Sequence, residues 1–179
     1  MGRLLRFRKP SATADLLIAL IVGVAVFIAV LWMKPAETSQ AAPVAGLVGI
    51  ARVIDGDTLE VATGQGMVRV RLDGMDAFEG RQTCGGAPCG REASRALMAL
   101  ADNRRVECAD RGRDRYDRVL AHCRIDGRDL GGWMVENGHA VAYRRYSQAY
   151  VPHETRARAA GAGAWAHGFD APEDWRHAR

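Results

Sequence analysis

Eighteen consecutive uncharged residues, Leu16 to Met33 (LLIALIVGVAVFIAVLWM), set the first constraint on this 179-residue chain. That length falls just inside the range needed to cross roughly 30 Å of hydrocarbon. Arg3, Arg6, Arg8 and Lys9 precede the run, and no acidic residue occurs before Asp15. By the positive-inside rule, residues 1–13 form a basic cytoplasmic N-terminus and residues 14–33 a transmembrane signal-anchor helix. Everything beyond then lies across the membrane. The competing reading is a cleavable signal peptide, whose apolar stretch is usually about 7 to 15 residues and is followed closely by a small-x-small site. Here the run is longer, Lys34 and Pro35 follow it, and the small residues around Ser39–Ala42 lie some way downstream. This favours a single-pass protein of the bacterial inner membrane over one secreted after signal cleavage. A buried core helix fits poorly, because the run is apolar on every face.

Residues 34–46 (KPAETSQAAPVAG) are rich in Ala and Pro without periodicity and read as a linker. The rest, residues 47–179, is large enough for one proper core. The formal charge of +4 says little about this domain, because the first 46 residues hold five Lys/Arg against two Asp/Glu. The domain itself carries 20 basic and 19 acidic residues, so any anion site must come from local placement. Cys84, Cys89, Cys108 and Cys123 all fall on the translocated side. An even number of cysteines there points to two disulfides, with three possible connectivities. Cys84 and Cys89 bracket a small Gly-Gly-Ala-Pro loop, and the other two sit in runs that read as neighbouring strands. The expected pairs are therefore Cys84–Cys89 and Cys108–Cys123. Zinc spacing fits these cysteines poorly.

Short β-branched runs at Leu47–Ile54 and Thr58–Thr63, and the alternating run Met67–Leu72, read as a three-stranded meander. Arg91–Asn103 has helical spacing, and Arg105–Ala109 and Val119–Ile125 read as two more strands. Leu130–Asn137 and Pro152–Ala160 read as helices closed by Gly138 and Gly161. Five strands, with one helix after the third and the others after the fifth, fit a small closed barrel in the order usual for an OB-fold. The expected class is a β-barrel with helices: an OB-fold five-stranded barrel plus three α-helices, preceded by one transmembrane helix.

Three segments carry chemistry: VIDGDT (Val53–Thr58), RLDGMDAFE (Arg71–Glu79) and RDRYDR (Arg113–Arg118). Singly they could be an ordinary turn, a solvated loop and a charged hairpin tip. Together they supply what phosphodiester cleavage needs. A hard cation such as Ca²⁺ takes carboxylate, carbonyl and water oxygens. Planar guanidinium forks hold the charge that grows on a phosphate in its transition state. A carboxylate orients or deprotonates the attacking water.

From about Val48 to Trp165 the chain resembles the thermonucleases, the family of staphylococcal nuclease. All three motifs occur in order and at similar spacing. The resemblance implies an OB-fold barrel with three helices that hydrolyses DNA and RNA with Ca²⁺ and leaves 3′-phosphate ends. It implies Asp57 and Asp76 as calcium carboxylates, with the carbonyl of Ala77 as a further ligand. Arg71 and Arg118 would grip the phosphate, and Glu79 would act as base or water-orienting group. Arg115, Tyr116 and Tyr143 would flank the bound nucleotide, with Tyr146 beside them. Two positions depart from the family pattern. Phe78 stands where proline is common, so the turn's rigidity must come from packing of the ring or from the Cys84–Cys89 loop. Asp117 stands where glycine is frequent and adds a negative charge beside Arg118.

Trp133, Trp165, Trp175 and the five histidines read as packing or surface residues, and Asp55 and Asp73 as turn formers. The expected protein is a membrane-anchored nuclease with a monomeric, periplasmic or extracellular catalytic domain. The competing expectation is a non-catalytic OB-fold module that binds nucleic acid or oligosaccharide.

Overall fold

Buried faces shared between neighbouring strands give the chain its barrel. The computed structural model describes residues 46–178. Along the chain come β1 (Gly46–Val53), β2 (Thr58–Thr63), β3 (Gly66–Leu72) and β4 (Met75–Ala77), then helix α1 (Cys89–Ala101). Next are β5 (Arg105–Arg113), β6 (Val119–Ile125), β7 (Arg128–Asp129), α2 (Leu130–Glu136) and β8 (Ala140–Ala142). Helix α3 (Val151–Ala160), a 3₁₀ turn (Gly163–Ala166) and α4 (Pro172–His177) complete it.

The barrel strands neighbour one another in the order β3–β2–β1–β5–β6, and a parallel β3–β6 pairing closes the ring. Ala51, Val53, Leu59, Val61, Val70 and Leu72 all point inward and are buried. Val53 lies opposite Leu59, and Leu59 opposite Val70. A slip of one residue would turn this whole set to solvent, so burial fixes the register. Leu97 and Leu100 of α1 and Met134 of α2 join the same core.

That register positions the motifs. Thr58, next to Asp57, pairs with Arg71 across β2–β3, and Arg71 pairs with Leu120 across β3–β6, two residues from Arg118. The ends of three strands are thereby brought to one place.

Both expected disulfides are present. Cys108 and Cys123 are register partners on β5 and β6, so their bridge fastens the base of the hairpin that carries Arg113–Arg118. Cys84–Cys89 closes the small loop ahead of α1.

The described residues contain four α-helices rather than the three expected. The fourth, α4, has six residues of mixed charge (PEDWRH), too short and too polar to show helical periodicity. A small antiparallel ribbon, β4 with β8, also lies outside the barrel and pairs Asp76 with Val141. No described helix is long and apolar enough to cross a membrane. The expected transmembrane helix (14–33), the cytoplasmic N-terminus before it and most of the linker fall outside the described residues.

Candidate active site

A pocket of about 850 Å³ opens beside the barrel, lined by all three motifs and by α4. Asp57 ends the turn between β1 and β2. Its backbone N–H donates to the Asp55 carboxylate at 3.0 Å, and its own carboxylate accepts from the Thr58 hydroxyl at 2.9 Å. A Cβ on Gly56 would come within 2.8 Å of the Ala77 side chain, so glycine lets this turn press against β4.

Arg71, at the end of β3, joins the first two motifs. Its Nη1 lies 2.5 Å from Asp57 and its Nη2 2.9 Å from Asp76. Asp76 is buried on β4, and Ala77 beside it lines the pocket. Glu79 follows after Phe78. Its backbone N–H donates to Gln82 Oε1 at 3.1 Å, while its half-buried carboxylate faces the pocket.

The third motif reaches in from the β5–β6 hairpin. Arg118 donates through Nε to Asp114 at 2.7 Å and through Nη1 to the Thr58 hydroxyl at 3.4 Å. It therefore touches the same hydroxyl that Asp57 holds. Burial works against the Asp114 charge, but bonds from Arg118 and backbone N–H groups keep its carboxyl below the usual range. Arg115 and Arg118 lie over the exposed Tyr116 ring, at 4.9 and 5.6 Å from its centre. Tyr143, just past β8, packs edge-on against Tyr146 and donates to Glu173 at 3.3 Å.

Both departures from the family pattern have structural answers. Asp117 has φ +62°, the left-handed region that favours glycine and that aspartate tolerates. Its charge is taken up by Arg113, at 3.1 Å, rather than by Arg118. Phe78 is buried with the Cys84–Cys89 bridge and Ala164, and meets the Phe169 ring edge-on at 4.8 Å. Ring packing and the disulfide loop thus brace the turn together.

Asp55 is a turn former, as expected. Asp73 does more, because its carboxylate lies 3.4 Å from His122 and is lowered chiefly by a hydrogen bond from that ring. Sequence reading missed Asp114, although its place four residues before Arg118 in RDRYDR is visible as a turn with a return bond. It also missed Arg176 of α4. Arg176 donates to both oxygens of Asp76, at 3.1 and 2.9 Å, and to Glu79 at 2.7 Å. No local signal marks it, since its partners lie 100 and 97 residues upstream.

Asp57, Asp76 and Glu79 therefore alternate with Arg71 and Arg176 in one chain of ion pairs. Burial pushes the Asp57 carboxyl up to about 6, with Arg71 opposing and Asp55 and Asp76 adding to the rise. Among the described residues, no cluster of three or more His, Cys, Asp or Glu side chains could hold a metal alone. What converges is a pair of buried hard-oxygen donors, Asp57 and Asp76, both touching one guanidinium. Such a set suits a Ca²⁺ ion whose remaining ligands are carbonyl and water oxygens. The raised Asp57 is a carboxylate that a nearby cation would stabilise.

Comparison with known proteins identifies the family. Residues 69–167 match the family model described as staphylococcal nuclease homologue. The chain belongs to the staphylococcal nuclease family. Over 136 residues it is 40% identical to the succinoglycan biosynthesis protein ExoI of Rhizobium meliloti (strain 1021), covering 72% of this chain and 69% of that protein. It is 34% identical over 131 residues to an uncharacterized endonuclease of Haemophilus influenzae, covering 71% of each. It is 33% identical over 147 residues to a micrococcal nuclease of Shigella flexneri, covering 73% of this chain and 79% of that protein. The family match begins at Arg69 and so includes Arg71, Asp76, Glu79 and Arg118. It ends before α4, leaving Arg176 outside.

Proposed function

We propose that the chain is a Ca²⁺-dependent nuclease that hydrolyses phosphodiester bonds of DNA, RNA or both and leaves 3′-phosphate ends. Membership of the staphylococcal nuclease family makes it a phosphodiester hydrolase, and its substrate a nucleic acid. The observation that carries the mechanism is the meeting of the motifs: Arg71 bridges Asp57 and Asp76, while Arg118 reaches the Thr58 hydroxyl that Asp57 accepts from.

Asp57, Asp76 and the Ala77 carbonyl are the residues that would hold Ca²⁺. When bound, the ion supplies positive charge beside the scissile phosphate. Arg71 approaches the pocket from β3 and Arg118 from the β5–β6 turn, so their guanidinium forks can grip separate phosphate oxygens as negative charge builds there. Glu79 faces the same pocket and orients the attacking water, accepting its proton as the new P–O bond forms. The 5′ P–O bond breaks, the leaving 5′ oxygen takes a proton from solvent water, and the phosphate stays on the 3′ side. Arg115, Tyr116 and Tyr143 flank the nucleotide, with Tyr146 beside them, and the exposed Tyr116 and Tyr146 rings are open to base stacking.

We place the catalytic domain, as a monomer, on the outer side of the inner membrane. The apolar run and basic N-terminus support that side, and so do the two disulfides, which suit an oxidising compartment. Mass spectrometry of the native N-terminus decides between a retained anchor and secretion after cleavage. Full-length chain should cut DNA or RNA with added Ca²⁺ and stop with chelator. The competing reading, a non-catalytic OB-fold binder of nucleic acid or oligosaccharide, draws on the domain's near-neutral charge. It requires binding without cleavage in that same assay.

A further inference from the structure

The C-terminal segment enters the pocket through one side chain. Arg176 of α4 puts a single guanidinium against both Asp76 oxygens and against Glu79 Oε1, at 2.7 to 3.1 Å. Asp76 is almost fully buried, whereas the Glu79 side chain is about one-third exposed. Glu79 opens a turn just past β4 and lies on no strand, so its carboxylate needs a partner if it is to stay at one point. Among the described residues, Arg176 is its side-chain partner. Two carboxylates only three residues apart repel one another, and one planar fork between them converts that repulsion into a fixed spacing.

The helix carrying Arg176 is itself anchored to the catalytic turn. Gln82, buried at 1% exposure, accepts from the Glu79 backbone N–H at 3.1 Å and donates to the Asp170 carbonyl at 2.8 Å. Phe169 packs on Phe78, and Glu173 accepts from Tyr143 and Arg145 at 3.3 and 3.1 Å. One side chain thus ties the backbone of Glu79 to the start of α4, while α4 returns a guanidinium to its carboxylate. The loop of contacts is closed around the group that must handle water.

We propose that Arg176 is a positioning residue of this nuclease: it fixes the Glu79 carboxylate at a set distance from Asp76, and α4 is part of the active site. The inference rests on the nuclease reading above. It also assigns a role to the stretch after His167, where the family match ends.

The test uses the full-length chain, a fluorescein-labelled single-stranded DNA oligonucleotide and Ca²⁺, with wild type, Arg176→Gln, Arg176→Lys, Glu79→Gln and the double Gln variant. A misplaced catalytic group costs on the order of 100-fold, so Arg176→Gln should lower kcat about 100-fold with KM changed less than about threefold. Arg176→Lys should recover part of that loss, because it keeps the charge but not the fork. In the Glu79→Gln background the Arg176→Gln change should cost less than about threefold, since its target is already gone. Ca²⁺ affinity measured by calorimetry should be unchanged or tighter in Arg176→Gln, because the charge removed is positive. Independent, multiplicative losses in the double variant would overturn the inference, as would loss of Ca²⁺ binding in Arg176→Gln. An active wild type with an Arg176→Gln variant of equal kcat sinks the inference alone. An inactive wild type sinks the nuclease reading and the inference with it.

Discussion

Asp57 shows how much of the site's behaviour sits in single side chains. Its folded carboxyl is raised from 3.8 to about 6, first by burial. Between about pH 4 and pH 6 the folded state therefore binds more protons than the unfolded state, so this group makes stability fall as pH rises through that window. With chelator present, Asp57→Asn should remove that fall and leave the variant more stable at pH 7 by up to about 3 kcal/mol. Superimposable urea-denaturation profiles for the two proteins from pH 4 to 7 would refute the assignment. For Arg118 we propose an effect on the reaction instead. Truncation to alanine should lower kcat about 100- to 1000-fold with the circular dichroism spectrum unchanged, as loss of one transition-state donor does elsewhere. Near-normal turnover in that variant would take Arg118 out of the phosphate grip.

Single elements carry the support for these residues. The turn holding Asp76 and Glu79 is pinned by Phe78, which is buried between the Cys84–Cys89 bridge and Phe169. Phe78→Ala should cost about 3 to 5 kcal/mol in urea denaturation. It should also speed amide exchange in residues 165–178 as well as in the turn, because one ring holds both. A loss confined to the turn would mean that the C-terminal segment is held without it. The β5–β6 hairpin has its own staple. Removing Cys108–Cys123 with paired alanines opens a loop of 15 residues and should cost about 3 kcal/mol. Thermal melts of the paired variant against wild type check this.

The barrel was legible because its signal is local. Val119–Ile125 alternates inward and outward at the period that strands impose, and both it and the β-branched run Thr58–Thr63 come out with the bounds read from the sequence. The three motifs that line the pocket were legible too, since each is a short stretch at the end of a strand. Apart from Asp114, what escaped reading has no local trace. The three residues of β4 and the six of α4 are too few to show a period. Arg176 looks like any surface arginine until the fold brings it to carboxylates 97 and 100 residues earlier. Phe78 departs from the family's proline, and the ring that braces it, Phe169, lies in the same distant segment.

At the scale of the whole molecule, these features describe one device: a closed barrel that gathers strand ends, and a C-terminal helix that completes the pocket. The reaction proposed for it is Ca²⁺-dependent hydrolysis. The most direct measurement is cleavage of labelled DNA and RNA by the full-length chain with Ca²⁺ and with excess chelator. Cleavage with Ca²⁺ to fragments bearing 3′-phosphates, abolished by chelator, is the result predicted. Intact substrate under both conditions, or equal cleavage with chelator, would contradict it.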